Sequence, residues 1–346
     1  VREAAIELLV EGRTRYTANL GLPALRERIA HYLERRFHTV YNPADQIMCT
    51  IGASEAIDVA LRTILEVGDE VLIIEPCYVS YKPSVILQHG VPVVVTTKVE
   101  NGFKLMPEEL EAAITPKTKA IILPYPNNPT GAIMGKADLE KIAPILIQHD
   151  LLVISDEIYA ELTYGDADHV SIASIDGMYE RTVVLNGFSK SFAMTGWRLG
   201  YAAGPRDLIE QMNKIHAYVV MSAPVISQQA AIEALRDDEI CDEDVGIMRQ
   251  AYDQRRMYLL GEFERLGLPC FEPRGAFYVF PSIQKTGLGS EEFCKKLLFE
   301  GGVAVVPGNA FGESGEGFIR ISYAYSMEEL KICIGKIEAF LQQNQY

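Results

Sequence analysis

The chain has 346 residues, of which 48% are hydrophobic and 23% are charged, a globular composition that excludes wholesale disorder and collagen-like or coiled-coil classes. Its 32 Lys and Arg residues against 47 Asp and Glu residues give a net charge of −15, and this negative surface would repel nucleic acid and anionic membranes. The length predicts two domains, and an anionic substrate would require local cations in its site.

The six cysteines are scattered along the chain, with no C-x-x-C pair and no histidine cluster beside them. This spacing predicts neither a disulfide framework nor a metal site, and we expect free thiols in a reducing cytoplasm. No apolar run approaches the roughly 20 residues that a bilayer crossing needs, and no leader peptide opens the chain. Because the sequence begins with Val1 inside a helix-like run, we expect a segment to precede it.

The region from Gln46 to Pro205 alternates short β-type runs with helical patterns, which predicts an α/β fold with a mostly parallel sheet. Residues 57–65 carry apolar side chains at the spacing of an amphipathic helix that stops at Gly68, and residues 139–146 repeat the pattern. The predicted strands are 71–74, 91–95, 120–123, 151–154, 182–185 and 199–202.

The pattern changes after Pro224, where two helical runs lead into a smaller series of strands and helices. The predicted elements of this region are helices 226–235 and 245–266, strand 277–280, a helix through Phe293, strands 303–306 and 318–322, and helix 327–341. We predict a large domain, residues 1–244, and a smaller α+β domain, residues 245–346, joined by the long helix.

Four segments follow predicted strands, where α/β sheets place their ligands. The chain lacks G-x-G-x-x-G, a complete P-loop, H-E-x-x-H and G-x-S-x-G, which disfavours several other enzyme classes. The first segment, Thr50–Glu55, leads into the amphipathic helix, so Ala53 and Ser54 could hold a phosphate at the helix N-terminus. Its ordinary alternative is a capping box with Ser54 as N-cap.

The second and third segments follow the strands that end at Leu123 and Ile154. Taken alone, Pro126–Gly131 is a turn, because Asn, Pro and Gly are turn residues. In Ser155–Tyr159, Asp156 is a helix cap or a surface charge unless it faces a cationic heterocycle nitrogen.

The fourth segment, Asn186–Gly200, surrounds Lys190 with Phe188, Phe192, Met194 and the only Trp. We expect this environment to lower the pKa of the lysine and to make its amine a better nucleophile. Arg198 adds a permanent cation eight residues further on. The alternative is a lysine that extends from the edge of the core to water, which explains the whole run poorly.

These four segments in this order resemble the class I and II aminotransferases, which are pyridoxal-phosphate-dependent enzymes of fold type I. The resemblance spans the chain from Tyr16 to the Phe318–Ser322 strand, and is closest to the bacterial subgroup of aspartate, aromatic and N-acetyl-diaminopimelate aminotransferases. It implies a large, mostly parallel sheet domain and a smaller α+β C-terminal domain. The blocks that carry it are Asn128–Gly131, Ser155–Tyr159 and Ser189–Arg198.

The resemblance implies a role for each candidate residue around pyridoxal 5'-phosphate. Lys190 would form a Schiff base with the cofactor aldehyde, and Asp156 would keep the pyridine nitrogen protonated. Tyr159 and Asn128 would hydrogen-bond the phenolic oxygen of the ring. The other implied contacts are Tyr78, stacked on the ring, and Ala53, Ser54, Ser189 and Arg198 on the phosphate.

Asn128 and Arg320 are the substrate-binding residues that we expect. In the predicted strand 318–322, the period of two places Arg320 on the face opposite its two isoleucines. A guanidinium suits the α-carboxylate of a substrate because it makes two parallel charge-assisted hydrogen bonds. The alternative is an exposed strand arginine. The resemblance also implies that Tyr16 reaches the phosphate of a neighbouring subunit, so the expected active unit is a homodimer.

The sequence departs from the family pattern at three places. Gly187 lies where some relatives have a hydroxyl residue, and Tyr78 lies where many have Trp. The N-terminal arm of the family has no counterpart here, so the sequence leaves the choice of substrate open.

The reaction that the resemblance implies is a ping-pong transfer of the amino group of an L-amino acid to a 2-oxo acid, with 2-oxoglutarate as the expected acceptor. A carbon–sulfur β-lyase would share Lys190, Asp156 and Arg320, so it stays open as an alternative. A second alternative is the aminotransferase-like domain of a transcription regulator, although this acidic chain has no room for the basic DNA-binding module of such proteins.

Overall fold

The computed structural model describes residues 1–346, and seven of its strands form one large sheet. These strands are β1 (Ile47–Thr50), β2 (Glu70–Glu75), β3 (Val91–Thr96), β4 (Thr118–Leu123), β5 (Leu152–Asp156), β6 (Thr182–Gly187) and β7 (Gly200–Ala203). Their order across the sheet is β1-β7-β6-β5-β4-β2-β3. All six strands predicted for this region are present, with ends that differ by at most two residues.

Strand direction places most carboxyl ends at one edge of this sheet. The pairs β2–β3, β2–β4, β4–β5 and β5–β6 are parallel, which confirms the predicted α/β class. Strand β7 is antiparallel to both β6 and β1, so β1 runs in the same direction as β6. The sequence analysis predicted neither β1 nor the reversed direction of β7.

Nine helices precede or cover the large sheet, and the amphipathic ones bury one face against it. Their bounds are α1 (Arg2–Val10), α2 (Pro23–Phe37), α3 (Gly52–Ile64), α4 (Tyr81–Leu87), α5 (Pro107–Ala113), α6 (Lys136–Gln148), α7 (Phe188–Ser191), α8 (Arg206–Val219) and α9 (Val225–Ala234). In α3, six apolar side chains lie in the core that this helix forms with β2, β4 and α8. None of the helices combines the length and the hydropathy that crossing a membrane requires.

A second sheet of three antiparallel strands, in the order β8-β10-β9, lies in the C-terminal part of the chain. Its strands are β8 (Tyr278–Val279), β9 (Val306–Pro307) and β10 (Ile319–Ser322), and its helices are α10 (Asp238–Arg265), α11 (Ser290–Gly301) and α12 (Met327–Gln343). The division into units 1–244 and 245–346 stays a prediction, and its boundary falls inside α10.

Two predicted elements of this C-terminal part need correction. Helix α10 begins at Asp238 and not at residue 245, because the Asp237 side chain accepts hydrogen bonds from the first free amides of the helix. Of the predicted strand 303–306, only Val306 is a strand residue. Gly302 ends α11 in a left-handed conformation, and residues 303–305 join no sheet ladder.

The segment 274–276 ties the small sheet to two loops of the large one. The Gly131 carbonyl accepts the backbone amides of both Arg274 and Gly275, at 3.0 and 2.9 Å. The Ala276 amide donates to the Leu162 carbonyl at 2.9 Å. Only Phe277 therefore separates this anchored backbone from the start of β8, and the small sheet begins at a fixed point beside the large one.

Gly200 allows β7 to begin directly against the N-terminus of α3. A Cβ atom at this position would lie 2.6 Å from the Ala53 nitrogen and 2.6 Å from the Gly52 carbonyl carbon. Both are backbone atoms, so neither can move aside as a flexible side chain could. The contact holds the first turn of α3 in place at the sheet edge.

We expect Gly200→Ala to lower the free energy of unfolding by about 1–3 kcal/mol, because overpacking forces backbone shifts. Gly335→Ala is the control, since a Cβ at Gly335 in α12 meets nothing within 4 Å. That exchange should raise stability by about 0.5–1 kcal/mol through helix propensity. Chemical denaturation of both variants measures the two effects, and equal stability of the Gly200→Ala variant and the unaltered protein would contradict the proposed contact.

Candidate active site

A cavity of about 390 Å³ opens at the edge of the large sheet where β1, β2, β4, β5 and β6 end. Ten of the eleven predicted site residues line it: Ala53, Ser54, Tyr78, Asn128, Asp156, Tyr159, Ser189, Lys190, Arg198 and Arg320. Each strand end contributes a different part of this set, because parallel strands bring residues that are distant in sequence to one place. The roles of these residues stay predictions.

One end of the cavity presents cationic and amide groups that suit an anion. Helix α3 begins at Gly52 and has Ile51 as its N-cap, so Ser54 is a residue of the first turn and not the cap. The first amides of a helix have no partner within it, and the helix dipole favours negative charge there. Arg198 lies against this turn, since a Cβ at Gly52 would be 2.7 Å from its Nη2.

Lys190 lies in the middle of the residue set, on the short helix α7 that follows β6. Its Nζ is 5.2 Å from the ring centroid of Phe277 and 5.7 Å from that of Tyr159. Partial burial lowers the pKa of Lys190, the positive charges of Arg198 and Arg320 lower it further, and Asp156 opposes the shift.

The expected aromatic environment of Lys190 is therefore present, but its source differs from the sequence interpretation. The rings within cation–π distance of Nζ come from the third segment and from the small sheet. Phe188 and Met194, which the sequence places beside the lysine, are instead buried in the core that α2 and α9 share with β7. These two sequence neighbours of Lys190 therefore pack into the core and do not surround its amine.

Asp156 is the last residue of β5 and is buried. Its Oδ2 accepts a hydrogen bond from the Tyr81 hydroxyl at 2.7 Å, and its Oδ1 accepts one from the Ile158 amide at 3.2 Å. Burial raises the pKa of this carboxyl, while the two hydrogen bonds and the Lys190 charge oppose that rise. The carboxylate thus lacks a close cationic partner among the side chains of the chain.

Arg320 occupies the other end of the cavity, on the central strand of the small sheet. Its strand alternates as predicted: the two isoleucines are buried and Arg320 faces the cavity. Nη1 donates to Asn128 Oδ1 at 2.9 Å, and the guanidinium carbon is 4.4 Å from the Tyr278 ring centroid and 4.7 Å from that of Phe311. The Nε atom of Arg320 is buried without a hydrogen-bond partner. The edge of the guanidinium that carries Nε is therefore free to bind an anion.

The sequence analysis missed three residues that contact this set. Tyr81 binds Asp156, Tyr278 contacts both Arg320 and Tyr159, and Phe311 packs on Arg320. Tyr81 is the first residue of α4, and no local pattern links it to Asp156. No local pattern marks Phe311, which reaches the site from the loop after β9.

Tyr16 is the one predicted site residue that lies outside the cavity. It follows α1 and is 82% exposed, in a shallow groove with Leu22 and Val225. Within one chain it contacts none of the other site residues. Its proposed role requires a second copy of the chain.

The donor set fits pyridoxal phosphate on three observations. Unpartnered amides beside Arg198 would receive the phosphate, and the buried Asp156 carboxylate would receive a protonated pyridine nitrogen. The lowered pKa of Lys190 suits an amine that must react with an aldehyde. No part of the set requires a metal ion.

Comparison with known proteins places these observations in one family. The sequence profile described as "Aminotransferase class I and II" matches residues 1–337. An aspartate aminotransferase of Pyrococcus abyssi is 47% identical over 100% of this chain and 88% of its own length, and aromatic-amino-acid aminotransferase 2 of Thermococcus litoralis is 45% identical with the same coverage. The crystal structure of an aromatic aminotransferase from Pyrococcus horikoshii superposes with a TM-score of 0.97 at 46% identity, covering 99% of this chain and 92% of that chain.

These matches confirm the resemblance and the fold that the sequence analysis predicted. They extend over nearly the whole chain, from the segment with Tyr16 to the strand of Arg320. The predicted large and mostly parallel sheet is therefore that of fold type I.

We expect Arg198→Gln to raise the pKa of Lys190, because Arg198 lowers that pKa more than Arg320 does. Modification of Lys190 by an amine-directed acylating reagent, followed by peptide mass spectrometry across a pH series, measures this pKa. The modification curve should move to higher pH. Arg274→Gln is the matched control, since that guanidinium lies in a different cavity beside Asp166. An unmoved curve for Arg198→Gln would contradict the electrostatic account.

Proposed function

The chain belongs to the class I and II aminotransferases, and we propose that it moves the amino group of an L-amino acid to 2-oxoglutarate by a ping-pong mechanism that requires pyridoxal phosphate. The proposal depends on one observation: Lys190, Asp156, Arg198 and Arg320 all line the same cavity. These four side chains come from three strand ends and from the small sheet. They supply an amine, a carboxylate and two guanidinium groups, and the proposed amino transfer uses all four.

When bound, pyridoxal phosphate would supply an aldehyde carbon that accepts the amino group and a ring that withdraws electrons from the substrate Cα. The chain's own residues hold and orient it. The residues proposed to contact it are Ala53, Ser54, Ser189 and Arg198 at the phosphate, Tyr78 at the ring face, Asn128 and Tyr159 at the phenolic oxygen, Asp156 at the ring nitrogen and Lys190 at the aldehyde.

Lys190 performs the covalent and proton-transfer steps in this proposal. Its amine would hold pyridoxal phosphate at the aldehyde carbon, and when free it would take up the proton that leaves the substrate Cα. Both steps need an unprotonated amine near neutral pH. Partial burial and the charges of Arg198 and Arg320 favour that form, because they lower the pKa of Lys190.

Asp156 holds the ring nitrogen in its protonated state. A buried carboxylate is costly to ionise unless a cation lies opposite it, and a protonated pyridine nitrogen is such a cation. Tyr81 and the Ile158 amide fix the two oxygens of Asp156, which limits how the carboxylate can rotate. The chain itself therefore fixes the position of the Asp156 carboxylate, whether or not the cofactor ring is bound.

Arg320 binds the α-carboxylate of both substrates in turn. Its Nε is buried and unpartnered, and Asn128 occupies Nη1, so the remaining edge offers the two parallel donors that a carboxylate accepts. The other arginine of the cavity lies at the opposite, phosphate end. Because one guanidinium edge serves the amino acid and the 2-oxo acid, the two must bind successively, which supports a ping-pong order.

The names of two relatives bear on the choice of 2-oxoglutarate as acceptor. One is named for aspartate, a dicarboxylic amino acid, and the other for aromatic amino acids. We propose that this site admits a second carboxylate, as the name of the first relative indicates for that protein, and that the acceptor carries one.

A homodimer with shared sites is part of the proposal. Tyr16 is 82% exposed and Tyr218 is 94% exposed, which is unusual for two large aromatic side chains in a single chain. A second copy that covered these residues would bring a tyrosine hydroxyl toward the phosphate end of its neighbour's cavity. All six cysteines are free thiols, which is compatible with the reducing cytoplasm that we propose as its location.

We expect Lys190→Ala to reduce amino transfer by at least about 10³-fold, because it removes both the covalent partner and the base. Mass spectrometry of the 2-oxo acid formed from a panel of amino acids with 2-oxoglutarate measures turnover. Lys214→Ala, an exposed lysine of α8, is the control and should retain full activity. Normal turnover by the Lys190→Ala variant would contradict the proposed function. Release of pyruvate from cystathionine without any acceptor would identify a β-lyase instead.

We expect Arg320→Lys to raise the KM for the amino acid and for the 2-oxo acid alike, by about 30-fold or more. Lysine keeps the positive charge but loses the two parallel donors, and each hydrogen bond to a charged group contributes about 1.5–3 kcal/mol. Steady-state kinetics with each substrate varied in turn measures both constants. The Arg274→Lys variant is the control, and a KM change for only one of the two substrates would contradict a shared carboxylate site.

A further inference from the structure

We propose that Tyr278 is a positioning residue that couples the two halves of the site: its ring orients the Arg320 guanidinium, and its hydroxyl directs the hydrogen of the Tyr159 hydroxyl into the cavity. This inference rests on the proposed function, in which Arg320 binds carboxylate and Tyr159 contacts the cofactor. One side chain of the small sheet would therefore affect both the affinity for substrate carboxylate and the protonation of the bound cofactor.

The sheet register brings Tyr278 to the same face as Arg320. Tyr278 in β8 lies opposite Ser322 in the antiparallel strand β10. Side chains two apart on a strand share a face, so Ser322 and Arg320 point the same way, and Tyr278 is the diagonal neighbour of Arg320. Both side chains line the cavity.

The Tyr278 ring is the aromatic surface closest to the guanidinium. Its centroid is 4.4 Å from the guanidinium carbon, and the Phe311 centroid is 4.7 Å from it. The only side-chain hydrogen bond of Arg320 is the one to Asn128. A single hydrogen bond leaves the guanidinium plane free to rotate about it, so contact with the rings is what fixes the direction of the free edge.

The Tyr278 hydroxyl lies 2.9 Å from the Tyr159 hydroxyl, and both side chains are buried. Each hydroxyl has one hydrogen, so the direction of this bond decides whether Tyr159 can donate to anything else. If Tyr278 donates, the hydrogen of Tyr159 is free for an acceptor in the cavity. If Tyr159 donates, that acceptor receives no hydrogen bond from it.

The position of Arg320 favours Tyr278 as the donor. The guanidinium carbon lies 4.4 Å from the Tyr278 ring centroid, whereas Tyr159 is not among the rings within cation–π distance of it. Burial raises the pKa of both phenols and the guanidinium opposes that rise in both, but it is a larger cause for Tyr278 relative to the other causes than for Tyr159. A positive charge makes the nearer phenol more acidic, and the more acidic hydroxyl is the better donor.

Two substitutions separate the functions of the ring and the hydroxyl. Tyr278→Phe keeps the ring against Arg320 and removes only the hydrogen bond to Tyr159. Tyr278→Leu removes the ring as well. The matched control is Tyr323→Phe, which removes the hydroxyl of another buried tyrosine in the same core, one that donates to the Ala276 carbonyl and contacts neither Arg320 nor Tyr159.

The experiment uses the enzyme loaded with pyridoxal phosphate and has two readouts besides activity. The first is the pH dependence of the visible absorbance of the bound cofactor, which reports protonation of its link to Lys190. The second is the dissociation constant of a non-reacting carboxylate, succinate or 3-phenylpropionate, whichever binds the unaltered enzyme more tightly. Thermal melting of each variant shows that it is folded.

For Tyr278→Phe we expect the absorbance titration to move upward by about 0.5–1 pH unit, the size of one lost hydrogen bond, because a weaker donor at Tyr159 favours the protonated link. The carboxylate dissociation constant should stay within about twofold. Tyr278→Leu should show the same titration shift and a dissociation constant about tenfold higher, the size of a desolvated cation–π contact. Tyr323→Phe should change neither readout.

Three results would overturn the inference. An unchanged titration in Tyr278→Phe would remove the role of the hydroxyl, and a downward shift would mean that Tyr159 donates to Tyr278. A carboxylate affinity in Tyr278→Leu equal to that of Tyr278→Phe would remove the role of the ring. Failure of the unaltered chain to take up pyridoxal phosphate would be a different result, since it would refute the proposed function itself and this inference with it.

Discussion

The shared direction of five strands in the large sheet is the constraint on which the site depends. Strands β1, β2, β4, β5 and β6 all end at the same edge, and the residues at or just after these ends include the first turn of α3, Tyr78, Asn128, Asp156 and Lys190. Strand β7 runs the other way and begins at that edge, so it receives Arg198 at its start. Reversal of any one of these strands would move its functional side chain to the opposite edge of the sheet.

Local charge in the cavity opposes the charge of the chain as a whole. A molecule with a net charge of −15 places three cations, Lys190, Arg198 and Arg320, around one buried carboxylate. The arginines keep their charge at any physiological pH. Their repulsion therefore favours the neutral form of the lysine, whose pKa is lowered. In the proposed function, the same cations would attract anionic substrates and keep the lysine amine available for reaction.

Much of the fold could be predicted because its signals are local. Buried parallel strands such as 120–123 are short apolar runs, and helix α3 shows its apolar face in the sequence. Contacts across space gave no such signal: Tyr81 reaches Asp156 over 75 positions, and Phe311 reaches Arg320 from a loop. Strand β1 was missed because its only neighbour in the sheet is β7, far later in the chain, and no local pattern marks that pairing. Local patterns alone pointed to Ala53, Ser54, Lys190, Arg198 and Arg320. Tyr78, Asn128, Tyr159 and Ser189 came from the family resemblance.

The anchored segment 274–276 has a consequence for how this chain tolerates change over evolution. Its backbone is fixed to the loops after β4 and β5, and the next two residues, Phe277 and Tyr278, place their rings beside Lys190, Tyr159 and Arg320. Inserting or deleting one residue between this anchor and β8 would turn the Tyr278 side chain to the other face of the small sheet. Length variation among descendants of this sequence should therefore be absent here, while the exposed loop at 165–168 is free to grow or shrink.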